Sequence, residues 1–283
     1  MHSKSYLSIY AKSFNWAGFF LPKKAYKKCS ALYDFCRVAD NIADDNEEIK
    51  NKRNKFKEFE KNFNQKNFND SVIKNMWSLI NEFNISLKII HDLFDGIRSD
   101  IEERVKLNSR KDLLVYSYRV AGTVGLMMAK ILKVSKKNSL KSAIDLGIAM
   151  QLTNISRDVI EDARNNRFYI NENFKEISST IQLADTFYKN SFYSIKDIPM
   201  SFRFSILVAR RVYRKIGYKI LNKHNYENYQ NSGKIYVSNI EKALETFLSI
   251  FDLIKLSLSN KNIEKIKHDH LLINEEINLD ERI

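Results

Sequence analysis

The stretch QLTNISRDVIEDARNNRFYI, residues 151 to 170, decides how this chain is to be read. Asn154, Asp158 and Asp162 follow one another at intervals of four. On an α-helix that spacing stacks their oxygen donors in one stripe. Arg157 and Glu161 flank the stripe on a neighbouring meridian, while Leu152, Ile155, Val159 and Ile160 are apolar. A helix with oxygen donors on one side and aliphatic residues on another, set in a hydrophobic region, predicts donors turned toward an internal cavity.

A second constellation lies more than a hundred residues upstream, in YDFCRVADNIAD, residues 33 to 44. Asp40 and Asp44 are four apart, which brings their Cβ atoms to about 5–6 Å, and like charges at that spacing destabilise a helix unless a cation compensates. Tyr33 and Arg37 fall on the same face. Carboxylates beside an arginine suit Mg²⁺ carrying a phosphate ester, because Mg²⁺ takes hard oxygen ligands and shares them with substrate phosphates. One acidic pair at this spacing is more often solvated surface charge. Two such clusters, each with an arginine and each bordered by apolar helix, point to a site.

The rest of the chain is helical in pattern. Pro22 and Pro199 are the only prolines in 283 residues. Between them apolar residues recur at intervals of three and four, as in Leu79, Ile80, Phe83, Leu87, Ile90, Leu93 and Phe94. No run of strict alternation stands out. Breaks are expected near residues 62–70, 108–111, 134–139, 165–176 and 197–200, which are rich in Asn, Ser, Lys or Pro. No shift of composition marks a boundary, so one all-α domain over residues 1–283, with eight to ten helices and a polar C-terminal tail from about residue 260, is the economical architecture.

Formal net charge is +13, from 47 Lys and Arg against 34 Asp and Glu. Lys and Asn are spread over the whole length, and residues 46–75 read as a solvated helix surface with its loop. Nucleic acid is not expected as a partner, since no recognition module is present and the acidic faces would oppose DNA. Cys29 and Cys36, seven apart, share a helix face and are expected to be reduced. The first residues lack the apolar core of a signal peptide. The longest apolar or small run, Val120 to Ala129, is well short of the roughly 20 residues a membrane span requires. A cytoplasmic protein, at most peripheral on the inner face of the membrane, is expected.

These motifs resemble the squalene/phytoene synthase family. YDFCRVADNIAD is similar to that family's first aspartate-rich region, and QLTNISRDVIEDARNNRFYI to its second. YSYRVAGTVG (residues 116–125), Ser13-Phe14 and ARRVYRKIGYKI (residues 209–220) also fit, so the resemblance runs from about residue 10 to 250. It implies an isoprenoid-synthase-type bundle around a central cavity, and head-to-head coupling of two prenyl diphosphates. It further implies that Asp40, Asp44, Asn154 and Asp158 hold Mg²⁺, with Mn²⁺ able to substitute and Asp162 as a further ligand, and that the four aspartates carry catalysis. Tyr33, Arg37, Gln151 and Arg157 would then contact diphosphate, while Ser13, Phe14, Tyr116 and Tyr213 line the substrate site. Arg167 and Tyr169 would close over pyrophosphate. Residues 119–125 lean toward a phytoene-forming enzyme using geranylgeranyl diphosphate. Farnesyl diphosphate-using relatives that form dehydrosqualene, squalene or hydroxysqualene are the alternative, and a catalytically silent assembly factor is the non-enzyme alternative. NADPH is not expected, and a desaturase is the expected downstream partner.

Two positions depart from the pattern. Asn41 stands where an acid is usual, and Lys234 where an arginine is expected. Lys keeps the charge but loses the bidentate fork, so Lys234 is left out of the expected site. His268 and His270, two apart, face different ways on a helix and are expected to belong to the polar tail. Arg203, Arg210, Arg211, Arg214 and Lys215 accompany apolar residues at helical spacing and read as a core helix with a solvated face, which anionic lipid could contact.

Overall fold

A computed structural model describes the backbone of residues 12–259 and 268–283 and the side chains of residues 15–259 and 269–283. The fold is all-α. In chain order the helices are α1 (Lys12–Gly18), α2 (Lys23–Asp44), α3 (Ile49–Asn64), α4 (Ser71–Phe83), α5 (Leu87–Ser99), α6 (Arg110–Ser117) and α7 (Thr123–Ile131). They continue with α8 (Lys137–Arg164), α9 (Phe174–Ser191), α10 (Met200–Leu221), α11 (Tyr226–Asn231), α12 (Asn239–Leu258) and α13 (His268–Asn274). The short helices α1, α11 and α13 take the number past the expected eight to ten. Two-residue strands β1 (Val105–Lys106) and β2 (Arg167–Phe168) pair in parallel, Val105 opposite Arg167.

Local chemistry sets the helix ends. Asp70 caps α4 by accepting from the amides of Val72, at 2.7 Å, and Ile73. Ser109 with Asp112 opens α6, and Ser238 with Glu241 opens α12, each as a reciprocal capping box. The expected breaks near residues 62–70, 134–139 and 165–176 all fall between helices. The break between α4 and α5 was not expected; it turns on Asn84, in the left-handed region with φ 51°, and on Ser86, which caps α5 by accepting from the Lys88 amide. The break before α6 spans residues 100–109, more than expected, since it includes β1.

Aromatic packing anchors one half of the core. Phe35 of α2 lies 5.5 Å from Phe59 and from Phe63 of α3 and 6.0 Å from Phe94 of α5. The apolar side of α3 is therefore inside and its lysines are outside, as the reading of residues 46–75 expected. In the other half, small residues let backbones touch. A Cβ on Gly125 of α7 would lie 2.3 Å from the Ala143 carbonyl oxygen of α8, and one on Gly147 would lie 2.2 Å from that of Ala121. Between α6 and α7, Tyr118–Gly122 forms a π-helical turn, a feature frequent beside functional sites.

The C-terminal segment departs from expectation. It is no solvated tail: Ile273, Ile277 and Leu279 are buried. His270 is buried with its Nε2 2.5 Å from Asp145 Oδ1 of α8, so that ring belongs to a buried polar pair. Arg282 makes a bidentate pair with buried Asp92 of α5, at 2.9 and 3.0 Å. The basic face of α10 is only partly solvated. Arg210 is buried, and Arg211 pairs with Asp252 and Glu245 of α12. Helix α12 supplies carboxylates to that face, which a local sequence pattern does not reveal.

Candidate active site

Helices α2 and α8 carry the two acidic stripes and both border one apolar cavity of about 270 Å³. Along α2, Tyr26, Cys29, Tyr33, Cys36 and Asp40 line it at intervals of three and four, a stripe of about 21 Å at 1.5 Å per residue. Along α8, the lining runs from Ser139 through Ala143, Gly147 and Met150 to Gln151. Val120, Ala121 and Gly125 of the π-turn and α7 supply the small residues of another wall. Both helices therefore run from an apolar depth to a polar end, where Asp40 and Gln151 stand. Asp44, and Asn154 followed by Asp158, continue these two helices one and two turns beyond. Cys29 and Cys36 are free thiols, as expected, but they are buried and line the cavity, and burial pushes Cys29 up to about 12.

Arg167, on the strand that follows the second acidic helix, binds the end of the first. Its Nη1 donates to Asp44 Oδ1 at 2.9 Å and its Nη2 to the Ala43 carbonyl at 3.0 Å. The pairing of β2 with β1 fixes its backbone. Arg37 Nη1 lies 3.7 Å from the other oxygen of Asp44. Arg157 grips its neighbour Asp158 through two bonds, at 2.8 and 2.5 Å, while the Tyr229 hydroxyl donates to the carbonyls of Ser156 and Arg157 at 3.0 and 2.8 Å. Tyr213 is buried where Arg157, Tyr33 and Asp158 act on it, and burial holds its hydroxyl protonated far above the usual range. Burial likewise pushes Tyr33 up to about 12. The side chains of Ser13 and Phe14 lie outside the described residues.

Tyr116 and Tyr169 do not face the cavity. Their rings stack at 4.6 Å and their hydroxyl oxygens are 2.9 Å apart. Both donate to one carboxylate, Asp100, at 2.8 and 2.7 Å. Asp100, which follows the last residue of α5, was missed in the sequence: SDIEERV looks like an exposed turn, and no second oxygen donor stands four residues away. Lys234, left out of the expected site, stands beside the second acidic stripe. Its Nζ reaches Asp158 Oδ1 at 3.4 Å and Glu161 Oε2 at 2.5 Å.

Negative charge at this mouth is under-compensated. Burial and Asp44 raise Asp40 to about 7; burial and Asp158 raise Asp162 to about 8. Burial raises Asp100 to about 6, against the pull of Arg167 and the two tyrosines. Asn154 Oδ1 is buried without a hydrogen-bond partner. Among the described residues no three carboxylate, imidazole or thiolate side chains gather closely enough to hold a metal by themselves. Hard oxygen donors in excess of cations, one of them orphaned, with no closed cage, fit Mg²⁺ held by one or two carboxylates and completed by substrate phosphates.

Residues 7–174 match the family described as squalene/phytoene synthase. The chain belongs to that family. A 147-residue stretch is 37% identical to the 15-cis-phytoene synthase of Paracoccus sp., covering 46% of this chain and 48% of that enzyme. The 15-cis-phytoene synthase of Pantoea ananas is 27% identical over 252 residues, covering 77% of this chain and 81% of its own length. Among solved structures, a dehydrosqualene synthase bound to a ligand aligns with TM-score 0.74 and 26% identity, over 88% of this chain and 94% of that one. Two acidic helices at the polar end of an apolar cavity are thus set in a fold shared with enzymes named for making long hydrocarbons.

Proposed function

We propose that this chain couples two geranylgeranyl diphosphates head to head, giving phytoene for carotenoid biosynthesis. The observation that carries the reading is Arg167, which, from the strand after the second acidic helix, binds Asp44 of the first and acts on Asp162 of the second at the polar end of an apolar cavity. Diphosphate sits at that end and the prenyl chain lies along the apolar stripe of α2. Arg37, Arg157, Arg167 and Lys234 supply positive charge where the C–O bond breaks and the leaving group gains charge, which is stabilisation aimed at the transition state. Bound Mg²⁺, or Mn²⁺ in its place, held by Asp40, Asp44, Asn154, Asp158 and Asp162, would neutralise the diphosphate as a Lewis acid.

The cation left behind needs protection from water, and the apolar lining gives it. It alkylates the double bond of the second substrate with loss of a proton, forming a cyclopropyl diphosphate. A second ionisation, rearrangement and proton loss give the hydrocarbon. Each half thus releases one diphosphate and one proton, and the electrons balance without NADPH. Tyr116 and Tyr169 hold Asp100 and do not meet the chain, so their role is positioning. A hydrocarbon product insoluble in water suits a peripheral place at the membrane and hand-over to a desaturase. No helix among the described residues is long and apolar enough to cross a membrane.

The likeness to a dehydrosqualene synthase supports a second reading, in which the fifteen-carbon farnesyl diphosphate is the substrate. Purified protein with Mg²⁺ and each diphosphate, followed by mass spectrometry, separates them. A forty-carbon hydrocarbon supports the first, a thirty-carbon one the second, and neither from either substrate overturns both.

A further inference from the structure

Helix α12 is turned inside out. Its charged and hydroxyl-bearing residues face the protein: Lys242, Glu245 and Ser249 are buried, and Asp252 pairs with Arg211. Its outward side carries Ile240, Leu244, Phe247, Phe251, Ile254 and Leu258, each at least half exposed. At 100° per residue these six fall within one stripe, along about 27 Å of helix. An apolar band of this length on a free surface marks an interaction site.

Beside the stripe lies a second cavity, of about 540 Å³, between α9, α10 and α12. Six cations line it, Lys189, Arg210, Arg211, Arg214, Lys215 and Lys255, against the carboxylates Glu245 and Asp252 in the lining and Asp185, which pairs with Lys189 and Arg214. Arg210 is buried, spends its Nε and Nη2 on the Tyr188 carbonyl, and comes no nearer than 4.0 Å to Asp252. Burial and neighbouring Arg214 lower it to about 10, as expected where cations outnumber anions. Lys255 lines the cavity, is exposed, and sits one helical turn from Phe251, on the border between cavity and stripe.

We infer that α12 and the basic cavity on its flank form one docking site for an anionic phospholipid surface, the stripe entering the acyl region and a headgroup phosphate entering the cavity. This deepens the peripheral membrane contact proposed above and places it on α12, which carries none of the acidic-site residues. Charge complementarity selects the partner. A second copy of this chain, docked by the same face, would bring its own +13 charge and a second cationic cavity to the contact. A nucleic acid would meet the cations but has no use for the aliphatic stripe. Apolar insertion next to cations is what binds a helix at an anionic interface.

The test is co-sedimentation of the full chain with vesicles, without substrate. Vesicles containing phosphatidylglycerol should pellet the protein and phosphatidylcholine vesicles should not, with binding lost at high salt. Phe251→Glu and Leu244→Ser, on the stripe, should each weaken partition by about tenfold. Lys255→Glu should weaken it by at least about fivefold. All three should keep their circular dichroism spectrum and their coupling rate on detergent-dispersed substrate. Equal binding to neutral vesicles, or unchanged binding in the variants, overturns the inference. So does a dimer that Phe251→Glu dissociates, or inorganic phosphate bound in a Lys255-dependent way with no vesicle binding. Coupling lost in the unaltered protein would instead count against the proposed reaction and leave this result standing.

Discussion

Arg167 donates to Asp44 at 2.9 Å across 123 positions of chain. That bond ties the segment after the second acidic helix to the end of the first, and the same guanidinium acts on Asp100 and Asp162. Arg167→Lys keeps the charge and loses the fork that reaches Asp44 and the Ala43 carbonyl together. Coupling should fall about ten- to a hundredfold, the worth of roughly 1.5–3 kcal/mol for hydrogen bonds to a charged group. Steady-state product formation checks it, and an unchanged rate would remove Arg167 from the site.

Asp100→Asn keeps the shape of the side chain and removes its charge. Tyr116 and Tyr169 retain one carbonyl acceptor between them, and the charge next to Arg167 disappears. The expected result is a fold intact by circular dichroism with coupling down by about tenfold or more. A wild-type rate would show that Asp100 only fills space.

The acid cluster gives a pH dependence with a definite sign. Asp100, Asp40 and Asp162 are raised to about 6, 7 and 8 from an ordinary value near 4. A carboxyl raised on folding stabilises the folded state below its unfolded pKa, and that contribution is lost as pH rises through the folded pKa. The metal-free protein should therefore lose thermal stability steadily from about pH 4 to 8. Mg²⁺ with diphosphate should remove most of the slope above pH 6 and should bind more tightly at pH 8 than at pH 6, with release of protons. Melting curves across pH, with and without both ligands, read this directly. A flat metal-free profile would contradict it.

The C-terminal segment is a structural latch. Asp92 is buried, held by Arg282 and by the Tyr118 hydroxyl at 2.9 Å. Arg282→Ala leaves that carboxylate with one partner, and breaking a buried pair from one side typically costs about 3–5 kcal/mol. The Tyr118 bond remains, so a loss of about 2–4 kcal/mol in urea unfolding is expected. A loss below about 0.5 kcal/mol would show that the pair is not formed in solution.

Gly147→Ala places a Cβ against the Ala121 carbonyl oxygen, backbone against backbone, beside the cavity. Helices α7 and α8 would have to part, at a cost of about 1–3 kcal/mol by analogy with overpacked cores, and the wall of the cavity would move. The shift in the urea midpoint measures the first effect, and the ratio of products from fifteen- and twenty-carbon diphosphates the second.

Most of what the chain determined locally was legible in it, the break at Asn84 and Ser86 excepted. The helical period, the two acidic stripes and the small-residue segment depend on spacings of three and four, which a helix converts to shared faces without help from elsewhere. Tertiary structure alone decided the fates of Asp100, Lys234, His270 and the outward stripe of α12. A lone carboxylate or lysine carries no periodic signal, so its partners, 16 to 125 positions away, exist only once the helices pack. Amphipathic spacing shows that α12 has two faces, but not which one turns inward. There the cations of α10 drew the carboxylates in, and that left the aliphatic side to the outside.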